Sequence, residues 1–208
     1  MLIRKFNKAN LVTYLGLLFG LTSIYFAFNK IAFSDVPSLK LSLIFLVLSG
    51  ICDMFDGKFA RSCKRSKEEK KFGIQIDSLA DTVDFLCVPV ILLLSLGMNS
   101  IICLAVYILF ISCGITRLAN FNIIAVINKP VKYYSGLPVT ATAIIFPILG
   151  LLYEKVSNDI LSIIYVSTTF IVAILFVLNV KIPKFKGFAY VLVPVAAAVL
   201  IALLVMIK

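Results

Sequence analysis

The 208-residue sequence contains no histidine and no tryptophan. Without histidine, a general base in this protein has to be a carboxylate, a lysine, a tyrosine or a metal-bound group. Without tryptophan, an aromatic belt at a membrane surface would consist of tyrosine and phenylalanine. The five cysteines are odd in number, form no Cys-x-x-Cys pair and lie mostly in apolar runs, where cysteine behaves as a small hydrophobic residue. A disulfide framework is therefore not expected.

Charged residues are scarce at 14%, whereas 62% of the residues are hydrophobic. Soluble domains carry roughly 25% charged residues, so this composition indicates an integral membrane protein. A spanning helix needs about 20 mostly apolar residues, and seven segments qualify: 10–28, 39–60, 74–97, 100–122, 137–153, 159–179 and 188–207. The sequence predicts an all-α, polytopic membrane bundle in one domain, 1–208, with six core spans within 10–187 and an additional C-terminal span, 188–207.

The net charge of +10 would suggest a nucleic-acid partner for a soluble protein, but here the distribution of the basic residues gives it another meaning. If the N-terminus is cytosolic, sixteen of the twenty lysines and arginines fall on the cytosolic side. This asymmetry is what the positive-inside rule describes. We therefore expect a cytosolic N-terminus, a basic inner surface that faces the lipid bilayer, and no nucleic-acid binding.

Seven of the ten acidic residues lie between residues 53 and 84, and five of these seven are aspartates. At about 100° per residue, Asp53 and Asp56 share one side of the second span, while Asp77, Asp81 and Asp84 share one side of the third. The basic loop at 62–72 makes these two spans antiparallel neighbours. Their acidic faces can therefore meet near the cytosolic membrane surface.

The negative charge of such a cluster has to be balanced by bound positive charge. One carboxylate at the bilayer centre costs roughly 2.5–3.5 kcal/mol on insertion scales, and neighbouring carboxylates repel one another. Arg61 alone cannot cancel this charge. Carboxylate oxygens suit hard divalent cations such as Mg²⁺, Mn²⁺ or Ca²⁺, and two such ions held close together would clamp a phosphoryl group and its attacking oxygen.

Other interpretations of these residues stay open on the sequence alone. Gly57 and Ala60, on the face of Asp53 and Asp56, leave room for a bulky group, or else allow two helices to pack closely. Asp84 is either part of the cluster or an acceptor beside it. Intramembrane carboxylates can also mark the ion path of a cation transporter, although acids gathered at one end of a bundle do not make a path across it.

The same residues resemble the signature of the CDP-alcohol phosphotransferases, Asp-x-x-Asp-Gly-x-x-Ala-Arg followed by Gly-x-x-x-Asp-x-x-x-Asp. All eight fixed positions match, namely Asp53, Asp56, Gly57, Ala60, Arg61, Gly73, Asp77 and Asp81. The segment between Arg61 and Gly73 has eleven residues, where eight are usual. The resemblance implies a plasma-membrane enzyme, often a homodimer, whose active site faces the cytosol. Such enzymes cleave the pyrophosphate of a CDP-linked lipid or alcohol and release CMP.

The resemblance also implies roles for individual residues. The four aspartates of the signature would hold two divalent cations, Mg²⁺ or Mn²⁺ or else Ca²⁺, and Asp81 would also take the proton of the acceptor. The residues implied to bind CDP are Asn10, Thr13, Asp53, Gly57, Ala60, Arg61 and Gly73. Asn10 could equally serve as an N-cap of the first helix.

Three further segments resemble the serine-using branch of this family, the phosphatidylserine synthases. They are "RLANFN" at 117–122, "SGLPVTATA" at 135–143 and "KIPKFKG" at 181–187. The implied substrates are CDP-diacylglycerol and L-serine, with Arg117, Asn120 and Asn122 as candidates for binding the serine carboxylate or a lipid phosphate.

The acceptor is less fixed than the family. Arg117 offers a bidentate donor for a carboxylate or phosphate, or else it anchors the fourth span at the membrane surface. Asn120 stands where the serine branch usually has arginine. Glycerol 3-phosphate, an inositol phosphate and choline therefore remain alternative acceptors.

Overall fold

The computed structural model describes residues 7–33, 36–126, 133–179, 181–183 and 189–206. Five of its helices are long and apolar enough to cross a membrane, and two shorter apolar helices, Val139–Gly150 and Leu192–Met206, accompany them. This confirms the predicted all-α, polytopic bundle. The helices are α1 (Asn10–Phe33), α2 (Val36–Ser62), α3 (Lys67–Asp81), α4 (Val88–Ser95), α5 (Ile101–Val126), α6 (Thr142–Gly150), α7 (Asn158–Val177) and α8 (Ala189–Met206).

The third span begins earlier than the predicted residue 74, because α3 starts at Lys67. The Ser66 side chain accepts a hydrogen bond from the Glu69 N–H at 3.2 Å, and the Glu69 carboxylate accepts one from the Ser66 N–H at 2.7 Å. This capping box satisfies two N–H groups at the helix start. The loop between α2 and α3 is therefore residues 63–66, much shorter than the predicted 62–72.

The same span continues from α3 into α4 through a π-helical segment, Thr82–Cys87. The wider π turn is often found at functional sites, and this one follows directly after Asp81. Thr142 at the start of α6 supports it, since its hydroxyl donates to the Phe85 carbonyl at 3.0 Å. Periodicity alone did not predict this change of helix type.

The apolar core of the bundle lies where the π-helical segment, α5, α6 and α7 meet. The rings of Phe110, Phe146 and Phe176 are fully buried there, and Phe110 lies 5.4 Å from Phe176 and 6.2 Å from Phe146 between ring centroids. Tyr165 is buried beside them and donates its hydroxyl to the Phe146 carbonyl at 3.2 Å. We call this aromatic group the aromatic core.

The additional C-terminal span forms α8, which packs against α2 and α6. Its contact with α2 and α4 is a second apolar cluster built from leucine, valine and alanine side chains: Leu39, Leu43, Val47, Leu92, Ala197, Leu200 and Leu204. The described part of α8 is thus integrated into the bundle.

Two three-residue strands tie together the segments that follow α5 and α7. β1 (Tyr133–Ser135) pairs with β2 (Lys181–Pro183) in antiparallel register. Gly136, next in the chain, has φ +77°, a conformation that favours glycine, and a Cβ there would overlap the Phe176 carbonyl. The predicted motif at 135–143 therefore docks on the end of α7. Residues 184–187 of the motif at 181–187 lie outside the described residues.

Candidate functional site

The predicted acidic faces of α2 and α3 meet. One carboxylate oxygen each from Asp53, Asp56 and Asp77 lies within 4.8 Å of the others. Asp53 and Asp81 are within hydrogen-bonding range of each other, as are Asp56 and Asp77. A cavity next to them is lined by all four aspartates together with Asp84. The geometry is that of a carboxylate cluster open to a pocket.

The donor set of this cluster fits a hard divalent cation. Mg²⁺ binds oxygen at about 2.0–2.1 Å and Ca²⁺ at about 2.3–2.6 Å, so two ligands on opposite sides of one ion lie up to about 4–5 Å apart. The oxygens of Asp53, Asp56 and Asp77 fall within that span. A bound cation would also remove the repulsion between carboxylates that lie this close together. These three residues could therefore hold one ion, with Asp81 beside them.

Helix α1 closes the site from a third side. The Thr13 hydroxyl donates to Asp56 Oδ2 at 3.0 Å, and Gly16 lines the cavity one turn further along the helix. A Cβ on Gly16 would lie 3.3 Å from Cys52 Cβ, so the small residue lets α1 approach α2 closely. Asn10, at the first position of α1, is 3% exposed.

Gly57 has a different environment from the glycines at helix contacts. Among the described residues, a Cβ built on Gly57 would meet just one atom within 4 Å, Arg61 Nη1 at 3.6 Å. The surroundings of Gly57 are therefore open, on the same helix as Asp53 and Asp56. This favours the interpretation that Gly57 makes room for a ligand over the alternative of close helix packing. Ala60 is half-buried on the same face, whereas Arg61 is exposed.

Gly73 is flanked by two polar side chains. A Cβ on Gly73 would lie 3.1 Å from Arg65 Nη1 and 3.4 Å from Asn10 Oδ1. Sequence reasoning missed Arg65, because its position depends on the path of the short loop before α3. The structure thus places Asn10, Arg65 and Gly73 together, one helical turn from Asp77 and Thr13.

The three candidates on α5 are placed differently. Arg117 is half-buried, stacks its guanidinium over Phe121 at 5.8 Å, and lies within electrostatic range of Asp53. Asn122 is also half-buried, and its Oδ1 accepts a hydrogen bond from Ser78 on α3 at 2.8 Å. Asn120 is exposed. The structure therefore brings Arg117 and Asn122 towards the acidic cluster and leaves Asn120 exposed.

Asp84 extends the acidic cluster one turn deeper into the bundle. It is 3% exposed, and its Oδ2 accepts a hydrogen bond from Ser49 at 2.7 Å. A Cβ on Gly20 of α1 would overlap Asp84 Oδ1. Ser49 was missed in the sequence, although it lies four residues before Asp53 and so shares its helix face. Asp84 therefore lies at the inner end of the cavity, against α1 and α2.

Comparison with known proteins identifies a family and several relatives of this chain. Residues 6–207 match the sequence model of a family described as CDP-alcohol phosphatidyltransferase. A CDP-diacylglycerol–serine O-phosphatidyltransferase of Helicobacter pylori is 31% identical over 173 residues, covering 81% of this chain and 71% of the relative.

Two further relatives come from a eukaryote and an archaeon. A CDP-diacylglycerol–serine O-phosphatidyltransferase of Saccharomyces cerevisiae is 30% identical over 156 residues, covering 71% of this chain and 55% of the relative. An archaetidylserine synthase of Methanothermobacter thermautotrophicus is 27% identical over 187 residues, covering 87% of this chain and 75% of the relative. The chain thus spans about half the length of the yeast relative and most of the other two.

Proposed function

The chain belongs to the CDP-alcohol phosphatidyltransferase family, and on that basis we propose that it transfers a phosphatidyl group from CDP-diacylglycerol to the hydroxyl of L-serine. CMP is the other product. The observation that carries the proposal is the convergence of Asp53, Asp56 and Asp77 around one point, with Asp81 in range of Asp53. The names of the relatives from Helicobacter and yeast supply the acceptor.

In the proposed reaction, the serine oxygen attacks the phosphorus that carries the lipid. The bond from that phosphorus to the bridging oxygen breaks, and CMP leaves with the electron pair. Asp81 takes the hydroxyl proton, since it lies beside the cluster and lines the same cavity. Asp53, Asp56 and Asp77 would hold the first divalent cation, and Asp81 would share a second with them. Divalent cations there would neutralise the pyrophosphate and the leaving CMP.

The remaining contacts position the substrates. The hydrogen bond from Thr13 fixes the orientation of the Asp56 carboxylate. The carboxylate therefore does not need to reorient when CDP-diacylglycerol binds. The open space at Gly57 allows the diphosphate to approach the backbone of α2. Positioning of this kind accounts for a large part of catalysis in phosphoryl transfer, where little covalent chemistry falls to the protein.

The acceptor subsite is proposed at Arg117 and Asn122, with Asn120 at its outer edge. Arg117 is the one basic residue of α5 and is near enough to Asp53 to interact with its charge, so a serine carboxylate bound to Arg117 would lie on the same side of the bundle as the acidic cluster. Phosphorylated acceptors call for more positive charge than this helix provides. Serine fits the described charges better than glycerol 3-phosphate or an inositol phosphate.

The proposal includes an orientation in the plasma membrane. The site lies at the end of the bundle that contains the basic loop 63–66 and the start of α3, and the positive-inside rule assigns that end to the cytosol. The lipid tails of the donor would then stay in the bilayer while CMP leaves to the cytosol. We also propose a single-domain homodimer, as is usual in the family.

A product assay tests the function. Purified protein is incubated with CDP-diacylglycerol, Mn²⁺ and separate alcohols, namely serine, glycerol 3-phosphate, inositol phosphate and choline, and the lipid formed is identified by mass. We expect phosphatidylserine and an equal amount of CMP. Another phospholipid as the main product would overturn the acceptor, and no CMP with any alcohol would overturn the transferase activity.

Two substitutions sharpen that assay. Asp81→Asn should abolish CMP release in a folded protein, because an amide cannot accept the proton. Arg117→Ala should raise the KM for serine more than the KM for CDP-diacylglycerol. Unchanged serine kinetics in the Arg117 variant would support the membrane-anchor alternative.

A further inference from the structure

We propose that Asp84 binds the ammonium group of the acceptor and is a specificity-determining residue of this transferase. The inference rests on the proposed function, because it names the group that recognises the amine of the same acceptor. Asp84 is not one of the eight signature positions, and the proposed metal-binding and proton-transfer steps do not use it. Its role follows from its burial and its place in the cavity.

Asp84 has hydrogen-bonding capacity that the chain leaves unused. Its side chain is 3% exposed, and its Oδ2 accepts a hydrogen bond from Ser49 at 2.7 Å. Its Oδ1 is buried and has no hydrogen-bond partner among the described residues. A carboxylate can accept about four hydrogen bonds, and buried polar groups normally have partners. The unused acceptor sites indicate a ligand that supplies donors.

The helix segments around Asp84 provide no positive charge. Gly20 of α1 and Ser49 of α2 lie against its carboxylate. The sequence contains no lysine or arginine at 9–29 or at 41–57, the stretches to which these two residues belong. Buried charges are normally paired or bound to metals. Two divalent cations would match the four negative charges of the signature aspartates, so a further cationic group is needed for Asp84.

Asp84 lies close enough to the proposed base for one small acceptor to contact both. It follows Asp81 by three residues, which is up to about 4–5 Å along the helix axis, and both side chains line the same cavity. In serine, two carbon atoms separate the hydroxyl oxygen from the ammonium nitrogen, a distance of about 3–4 Å. A single serine molecule can therefore place its hydroxyl at Asp81 and its ammonium at Asp84.

The structure favours an ammonium group over a metal ion at Asp84. Asp53, Asp56 and Asp77 form the group of carboxylates whose oxygens lie within 4.8 Å of one another, and Asp84 is outside this group. Mg²⁺ demands near-ideal octahedral coordination by oxygen, but the neighbouring cavity residue Phe85 offers no side-chain oxygen. An ammonium has three donors, so a carboxylate and two further acceptors are enough for it.

A carboxylate at this position selects acceptors by charge. An acceptor without an amine leaves the buried Asp84 unpaired, and a phosphorylated acceptor brings a second negative charge into the cavity. Both effects disfavour the wrong acceptor, which is how a binding site gains specificity. Serine would thus be recognised at two points, by Arg117 at its carboxylate and by Asp84 at its ammonium.

Acceptor analogues that each lack one charged group test the inference. The parent, Asp84→Asn and Arg117→Ala are assayed with CDP-diacylglycerol, Mn²⁺ and one of three acceptors: L-serine, 3-hydroxypropionate, which has no amine, or ethanolamine, which has no carboxylate. CMP release gives kcat and KM for each acceptor. For an analogue that is turned over too slowly, the inhibition constant against serine replaces KM.

The controls separate recognition from folding. Asp159→Asn removes an exposed acid at the start of α7 and should match the parent with every acceptor. Size-exclusion chromatography and thermal unfolding check that each variant is folded. If Asp84→Asn does not fold, Asp84→Ser takes its place, because it is also neutral and keeps a hydroxyl near Ser49.

We expect Asp84→Asn to raise the KM for serine and for ethanolamine by about 10–100-fold, the value of a hydrogen bond to a charged group. The KM for 3-hydroxypropionate should not rise, and neither should the KM for CDP-diacylglycerol or the Mn²⁺ concentration for half-maximal activity. Arg117→Ala should give the opposite pattern, with weaker use of serine and 3-hydroxypropionate and unchanged use of ethanolamine.

Three results would overturn the inference. They are an Asp84→Asn variant that keeps the parent's KM for serine, an equal loss with all three acceptors, which indicates a structural role, and a raised Mn²⁺ requirement, which indicates metal binding. A parent that uses ethanolamine but not serine, with Asp84→Asn weakening that use, would contradict the proposed acceptor and leave the ammonium site standing. A parent that transfers to glycerol 3-phosphate alone would contradict both.

Discussion

The acidic cluster and the aromatic core lie at successive levels of one bundle, and they differ in how closely their side chains are packed. Beside the cluster, Gly57 leaves open space on the helix that carries Asp53 and Asp56. In the aromatic core, Phe110 and Phe146 leave none. The comparison shows that the acidic cluster depends on an open cavity and on clustered negative charge. The aromatic core is closely packed and supports the helices that line this cavity.

The π-helical segment lies between the two regions. Asp81 precedes it, Asp84 lies within it facing Ser49, and Phe85 is packed in the apolar core beneath. The bond from Thr142 to the Phe85 carbonyl ties the lower side of the segment to α6. The last carboxylates of the site are therefore anchored on the well-packed region.

The largest expected effect comes from removing charge in the cluster. Asp77→Asn should lower CMP release by more than the roughly 10–100-fold that outer-shell changes cost at metal sites, since it removes a proposed ligand. It should also abolish the rise in unfolding temperature that Mn²⁺ gives the parent protein. Asp159→Asn, at an exposed acid at the start of α7, is the control. An unchanged Mn²⁺ response in Asp77→Asn would contradict a metal site there.

The second-largest effect is expected from a substitution that creates a cavity in the aromatic core. Phe146→Ala should destabilise the protein by about 2–4 kcal/mol, near the lower end of the range for buried phenylalanine, because lipid solvates apolar side chains nearly as well as the protein interior does. Reversible unfolding in mixed micelles measures this. Phe170→Ala, at a ring that is 44% exposed, should cost much less. The two regions would not be separable if Phe146→Ala lowered kcat of the folded fraction as strongly as Asp77→Asn does.

Two matched glycine-to-alanine substitutions distinguish a glycine in a close helix contact from a glycine beside open space. Gly20→Ala should destabilise by about 1–3 kcal/mol, because the new methyl group overlaps Asp84 in a filled contact. Gly57→Ala should leave stability equal or slightly higher and instead raise the KM for CDP-diacylglycerol. Adding Asp84→Ala to the Gly20 variant should recover stability. Equal destabilisation by both single changes would argue against open space at Gly57.

The smallest effect concerns a single hydrogen bond at the edge of the cluster. Thr13→Val removes the donor to Asp56 and should cost about 0.5–1.5 kcal/mol, seen as a rise of up to about tenfold in the KM for CDP-diacylglycerol. Thr22→Val is the control, since the Thr22 hydroxyl donates to the carbonyl of Leu18 on its own helix, at an exposed position. A Thr13 variant indistinguishable from the Thr22 variant would show that Asp56 needs no such support.

Much of the bundle could be predicted from sequence because its signals are local. Apolar runs of sufficient length locate the spans, and the spacing of Asp53 from Asp56 and of Asp77 from Asp81 fixes which of them share a helix face. The start of α3 was placed too late, at 74 instead of Lys67, because the apolar run was followed rather than the Ser66–Glu69 capping box. The capping box is visible in the sequence, but the boundary of the span was assigned from hydropathy alone.

The sequence by itself determined that the chain is a membrane bundle and that two neighbouring spans each carry a carboxylate face, because helix length and periodicity are properties of consecutive residues. The tertiary structure alone decided that Arg65 and Asn10 both lie against Gly73, that Ser49 supports Asp84, and that Arg117 lies near Asp53 while Asn120 is exposed. The rotation of each helix and the path of each loop follow from packing between distant segments, which no local pattern encodes.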